Sequence, residues 1–268
     1  MSRKKIADSM IQYLEDRINC KNVMKFADEK MESILEQSDE IFISELKIDG
    51  NSVNFEIIAY NDTTTNGAGS GTKTKTSINN MFETFDFMVE SNYTGFEYFP
   101  YLYGVLNCHN NENSKAYIYY ENFQGDLLQL INMLEHPSEW YDIAFQLVII
   151  DHYVRILNGY QYNAKLKNFL YKKLDKPYYR QYNIDNHKFS VSNKYLITLW
   201  DIESIKMIPS GGTEHTIIDV LLDHISKNGP LKVPLSNRLI KMFNDIKINP
   251  ESTIEILQQY YSRPSTNS

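Results

Sequence analysis

Apolar residues in the first part of the chain recur at helical spacing, as Ile6, Met10, Tyr13, Leu14 and Ile18 and then Val23, Phe26, Met31, Ile34 and Leu35. That period predicts one or two amphipathic helices between Ile6 and about Gln37. The pattern then becomes alternating. "IFISELKI" and "SVNFEIIAY" flank Asp49-Gly50, a dipeptide suited to a tight hairpin because both positions tolerate positive φ. The small, polar stretch from Asn61 to Ser77 reads as a flexible loop. A helix is predicted from Ile78 to about Glu90, with Met81, Phe82, Phe85 and Met88 on one face. "FEYFPYLYGVLNC" and "SKAYIYYENF" follow as two strands joined by the polar turn "HNNENS".

Helical periodicity dominates after Gly125. Asp126 is placed to cap "LLQLINML". From Ser138 to Leu157, a single stripe of Trp140, Ile143, Ala144, Leu147, Ile150, Val154 and Leu157 predicts a long buried helix. "FLYKKL" and "KYLITLWDI" read as short strands on either side of a loop, "DKPYYRQYNIDNH". Helices near Thr216–Ser226, Ser236–Ile246 and Ser252–Tyr261 close the chain. The class is α+β, strand-rich in the first half and helical in the second.

The composition, 42% hydrophobic and 23% charged over 268 residues, is that of a soluble globular protein. A net charge of −7 argues against general nucleic-acid binding, which needs clustered cations to neutralise phosphates. No apolar run approaches the ~20 residues of a membrane span, and "MSRKKIADSM" has no apolar core behind its charges. The expectation is an intracellular chain that meets neither membrane nor nucleic acid. Cys20 and Cys108 fit a reducing compartment and lack metal-ligand spacing; the 6 histidines are scattered. An excess of Tyr, Asn, Ile and Lys over Gly is what AT-rich coding produces, as in a large DNA virus or a parasite.

Chemistry concentrates in "YQYNAKLKNFLYKKL", Tyr160 to Leu174, where two amides, Asn163 and Asn168, flank Lys165. "LITLWDIES" follows, with Asp201 and Glu203. Upstream lie "FPYLYGVLNC" and "YIYYENFQGDLLQLI". In this order and spacing the segments resemble the protein kinase family, in the degenerate form of giant-virus kinase-like proteins. "QYNAKLKN" stands where the family has HRDxKxxN. Asp201 stands at the family's metal-binding aspartate and Asn168 at its metal-binding asparagine. The resemblance covers about residues 40 to 260. It implies an N-terminal helical extension over 1–38, a small sheet-based lobe with one helix over 39–121, and a mainly helical lobe over 122–268. It also implies a nucleotide-binding hinge from Glu121 to Phe123.

The departures from the family decide the expected activity. Asn163 replaces the catalytic aspartate, and a neutral amide cannot accept a substrate proton; a general base contributes ~10²–10⁴ in rate. The resemblance puts Glu56 at the phosphate-binding lysine position, where a carboxylate ~4 Å from a phosphate costs about 4 kcal/mol at an effective dielectric of 20. Gly67 to Gly71, "GAGSG", lies after the third strand and not in a phosphate loop, and "SGGTEH" is too short for a substrate platform. Asn168 and Asp201 remain as oxygen ligands of the kind that suits Mg²⁺. The expectation is a pseudokinase that binds or regulates a protein partner, with at most weak binding of Mg²⁺ and ATP. The alternatives are an active atypical serine/threonine kinase with a rebuilt site and a structural or interaction protein of an unrelated α+β fold.

Overall fold

The computed structural model describes residues 2–15, 17–20, 29–31, 40–48, 51–62, 78–109, 114–184, 186–200, 205–207, 216–228 and 231–261. The chain divides into two compact units, Met1–Asn122 and Phe123–Ser268.

The first unit carries helix α1 (Arg3–Glu15), strands β1 (Glu29–Met31), β2 (Glu40–Ile48) and β3 (Asn51–Asp62), helix α2 (Ile78–Tyr93), and strands β4 (Leu102–His109) and β5 (Ser114–Glu121). The strands form one antiparallel sheet in the order β1-β2-β3-β5-β4. Period-2 alternation gives the sheet two distinct faces. Phe55, Ile57, Tyr103 and Tyr119 join Ala7, Met10 and Leu14 of α1 in one buried cluster. Glu56 and Ile58, paired across the ladder with Tyr120 and Ile118, belong to the opposite face.

Two expectations for this unit are corrected. The second N-terminal helix is not formed around Met31, because Glu29–Met31 pairs with Ile41–Ile43 as an edge strand. α1 is part of the unit's own core and not a separate extension. The stretch from Asn61 to Ser77 begins as strand through Asp62, and 63–77 lie outside the described residues.

α1 is held at both ends. Near its start, the Arg3 guanidinium makes a forked pair with the buried Glu121 carboxylate, Nε to Oε1 at 3.0 Å and Nη2 to Oε2 at 2.6 Å. Its remaining donors reach the Glu97 and Phe99 carbonyls at 2.7 and 3.1 Å, and the guanidinium lies over the Tyr101 ring. The fork fits Arg, whose planar donors match a carboxylate and whose other N–H groups still find acceptors. Just beyond its end, Cys20 forms a disulfide with Cys108 of β4, with Cα atoms 5.5 Å apart. This corrects the reading of two free thiols in a reducing compartment. The fold brings together two cysteines 88 positions apart, a relation that their spacing does not reveal.

The second unit opens with β6 (Gly125–Asp126) and α3 (Leu127–Met133), whose start is closed by a reciprocal cap between Asp126 and Gln129. α4 (Glu139–Asp151) is buried almost all round and continues as a π-helix, His152–Leu157. β7 (Tyr160–Gln161) and a short 3₁₀ turn (Leu166–Asn168) lead into β8 (Phe169–Ile184) and β9 (His187–Leu199). After β10 (Lys206–Met207) come α5 (Ile217–Asn228), α6 (Asn237–Ile248) and α7 (Thr253–Tyr261). β6-β8-β9 form one antiparallel sheet, and β7 pairs with β10.

The stretch "DKPYYRQYNIDNH", expected as a loop, is instead the outer half of a long hairpin. Tyr178 to Asn183 pair residue by residue with Lys188 to Asn193, and the ladder is interrupted only between Lys173 and Tyr178, around Pro177. A proline with no N–H to donate is tolerated at such an irregularity, and the tyrosines beyond it favour strand. Asn186, at φ 63°, turns the chain between Ile184 and His187.

Among the described residues no helix is long and apolar enough to cross a membrane. The Arg3→Met substitution is expected to destabilise the first unit by about 3–5 kcal/mol, since it leaves Glu121 charged and buried. The double variant Arg3→Met/Glu121→Met should recover most of that loss. Urea unfolding of the full chain checks both.

Candidate functional site

The amide loop is built on the buried end of α4. Asp151, buried at the helix terminus, accepts a hydrogen bond from the Tyr162 hydroxyl at 2.8 Å and faces the Arg155 guanidinium at 3.4 Å. Burial pushes the Asp151 carboxyl up, against the opposing pull of Arg155 and Tyr162. Gly159, at φ 65°, permits the left-handed turn that carries the chain from the π-helix into β7. Beyond Tyr162, buried Ala164 and Leu166 alternate with exposed Asn163, Lys165 and Lys167.

Backbone geometry fixes this segment. The Asn163 carbonyl accepts from the Lys165 amide at 2.7 Å and from the Asn168 side-chain Nδ2 at 2.9 Å. The Asn168 amide donates to the Lys165 carbonyl at 3.0 Å, and the Asn168 carbonyl accepts from the Trp200 amide at 2.7 Å. Asn163, Lys165 and Asn168 therefore stand together in one small turn, tied to the end of β9. With its nitrogen committed to Asn163, Asn168 has Oδ1 as the atom suited to a hard cation. Asp201 and Glu203 lie outside the described residues.

The remaining expected positions have local partners. Glu56 accepts from the Tyr120 hydroxyl across the ladder and from the Asn122 side chain at 2.9 Å. Glu121 is committed to Arg3 through its carboxylate, while its amide donates to the Tyr101 carbonyl at 2.9 Å. Phe123 is buried at the start of the second unit. Among the described residues, no group of three or more His, Cys, Asp or Glu could hold a metal ion.

Residue patterns alone did not reveal the polar groups on α4 that support this region. Glu139, Asp142 and Gln146 are buried on an otherwise apolar helix and face the backbone of β9. Asp142 accepts from the Lys194 and Tyr195 amides at 2.7 and 3.2 Å and from Gln146 Nε2 at 2.6 Å. Gln146 also donates to the Tyr195 carbonyl and accepts from the Ile197 amide, both at 2.9 Å. Glu139 pairs with the Lys194 ammonium, accepts from the Tyr195 hydroxyl, and takes the amides of Glu135 and His136 at 2.8 Å. The available signal was three polar residues at helical spacing on a helix otherwise too apolar to be solvated.

These features define an α+β protein of antiparallel sheets, with an anchored amide-rich turn in its second unit. No protein-family model matches the chain. It is 41% identical over 278 aligned residues to "Uncharacterized protein R691" of Acanthamoeba polyphaga mimivirus, an alignment that covers 97% of this chain and 99% of that protein. The chain belongs to that protein's family, and the similarity supports a giant-virus origin.

Two outcomes follow from the supports. Burial pushes the Asp142 carboxyl up from 3.8 to about 6, against its three hydrogen-bond donors. The folded chain therefore keeps this proton over a range in which the unfolded chain has lost it. Stability falls as pH rises from about 4 to 6, by about 3 kcal/mol in total. Burial alone would raise Glu139 too, but the Lys194 ammonium, the two amides and the Tyr195 hydroxyl lower it to about 2. That contribution is present above pH ~4.5 and is lost as pH falls toward 2. Unfolding followed across pH should therefore peak near pH 4–5, and the Asp142→Asn variant should lose the decline between pH 4 and 6. Separately, Tyr162→Phe should cost about 1–3 kcal/mol in denaturant unfolding, because Asp151 loses a buried donor.

Proposed function

We propose that the chain is a degenerate protein-kinase-like protein that acts by binding a protein partner, retains at most a weak Mg²⁺ and ATP site, and does not transfer phosphoryl groups. The observation that carries this reading is the hydrogen bond from the Trp200 amide to the Asn168 carbonyl. It joins the turn bearing Asn163, Lys165 and Asn168 to the strand that leads toward Asp201, and so links the two segments that the kinase resemblance makes into metal-binding positions. The order of elements supports it as well. A sheet with a helix between its third and fourth strands precedes a buried helix, an amide-bearing turn and a hairpin.

Chemistry argues against transfer. Asn163 offers no base for a substrate hydroxyl, which alone forfeits ~10²–10⁴ in rate. Glu56 brings a carboxylate, already satisfied by Tyr120 and Asn122, to the position where the family places its phosphate-binding lysine. Asn168 and Asp201 supply oxygen ligands for a cation, and a nucleotide held by them alone is bound weakly.

Thermal unfolding of the full chain with and without millimolar ATP and Mg²⁺, together with a radiolabel transfer assay on generic protein substrates, tests the proposal. A Mg²⁺-dependent rise in midpoint that disappears in Asp201→Asn, with no label transferred, is the expected result. Transfer that disappears in Asp201→Asn would instead make this an active atypical kinase. No shift at millimolar ATP would remove the nucleotide site and leave an interaction protein.

A further inference from the structure

We infer that the Cys20–Cys108 disulfide is a redox-controlled latch on α1: oxidised, it holds the end of the helix over the sheet, and reduced, it lets that end lift and uncovers an apolar face. The inference is independent of the kinase-like reading and rests on three features of the first unit.

The first is the asymmetry of the helix's attachment. Arg3 fixes the start of α1 through four acceptor groups supplied by Glu121, Glu97 and Phe99, and Ala7 and Met10 are fully buried beside it. The far end has no comparable polar anchor printed in its contacts beyond the bridge itself and local bonds such as Arg17 to the Tyr13 carbonyl. The second is packing. A cavity of about 360 Å³ lies under the far half of the helix, between Ile11, Leu14 and Ile18 on one side and Tyr103, Leu106 and Tyr119 on the other. Side chains bordering such a space have fewer contact partners, so α1 is held least firmly next to the bridge. The third is access. Cys20 is exposed and Cys108 is buried, and these 2 cysteines are all that the chain contains.

The exchange chemistry follows from that access. A dithiol reductant attacks through its thiolate at the exposed Cys20 sulfur, forming a mixed disulfide and expelling Cys108 as a thiolate, which takes up a proton. The reductant's second thiol then displaces Cys20 as a thiol. The protein disulfide gains two electrons and two protons, and the reductant leaves as its own cyclic disulfide. Phe55, Ile57, Tyr103 and Tyr119 form the face that α1 covers. Lifting the helix from its latched end exposes the Tyr103 and Tyr119 side of that face, while Arg3 remains as the pivot.

Hydrogen exchange read by mass spectrometry on the full chain tests this, with non-reducing peptide mapping to establish the state of the bridge. The aerobically purified protein should yield the Cys20–Cys108 cross-linked peptide. Dithiothreitol should accelerate exchange at least about tenfold between Ile11 and Ile18, with less effect near Arg3 and none in the β8–β9 hairpin. Cys20→Ser should show the fast pattern without reductant and should not respond to it. The inference is overturned if mapping finds both thiols free, or if reduction leaves α1 protection unchanged. It is equally overturned if the whole first unit loses protection together, since the bridge is then a structural staple and not a latch.

Discussion

A buried helix and a strand edge make opposite demands, and the contact between α4 and β9 is where this protein reconciles them. The helix has to be apolar to fill the core, whereas the backbone of Lys194 to Ile197 needs hydrogen-bond partners at the irregular stretch of the hairpin. Glu139, Asp142 and Gln146 supply those partners as side chains, standing in for a neighbouring strand. An apolar residue at any of the three would strand a buried amide or carbonyl, which costs more than the packing would return. The same helix then ends at Asp151, which secures Tyr162, and β9 ends at Trp200, which secures Asn168. The amide turn thus depends on both partners of one polar interface.

Much of the fold was legible because periodicity is a local property. α2, α5, α6 and α7 follow the apolar spacing that predicted them, and the strands from Glu40 to Asp62 follow their alternation. The outer β8–β9 hairpin was not read correctly, since Lys176-Pro177 and Asp185-Asn186 look like the two ends of a loop. The tyrosines between them carried a strand signal that the turn residues outweighed. The disulfide and the Arg3–Glu121 pair could not be read at all, being relations across 88 and 118 positions without a local mark.

For the candidate site, the clustering of Asn163, Lys165 and Asn168 was legible as a motif, and the turn does hold them together. What anchors them was not. Asp151 and Tyr162 resemble an ordinary helix end and an ordinary loop aromatic until burial pairs them. Glu56 and Glu121 were legible as charges in unusual positions, but not as side chains already engaged within their own unit by Tyr120, Asn122 and Arg3.

The π-helical turn from His152 to Leu157 accommodates one more residue per turn than the α-helix before it. Such a widened turn is what a single inserted residue leaves when the flanking contacts are too valuable to give up. Removing one residue there would let the segment relax to α geometry and rotate everything downstream by about 100°. Tyr162 would swing away from Asp151, and the turn carrying Asn163 and Asn168 would swing with it. The chain length between those two anchors is therefore constrained to the residue, so an alignment gap placed within 152–157 would mark a relative whose loop cannot adopt this arrangement.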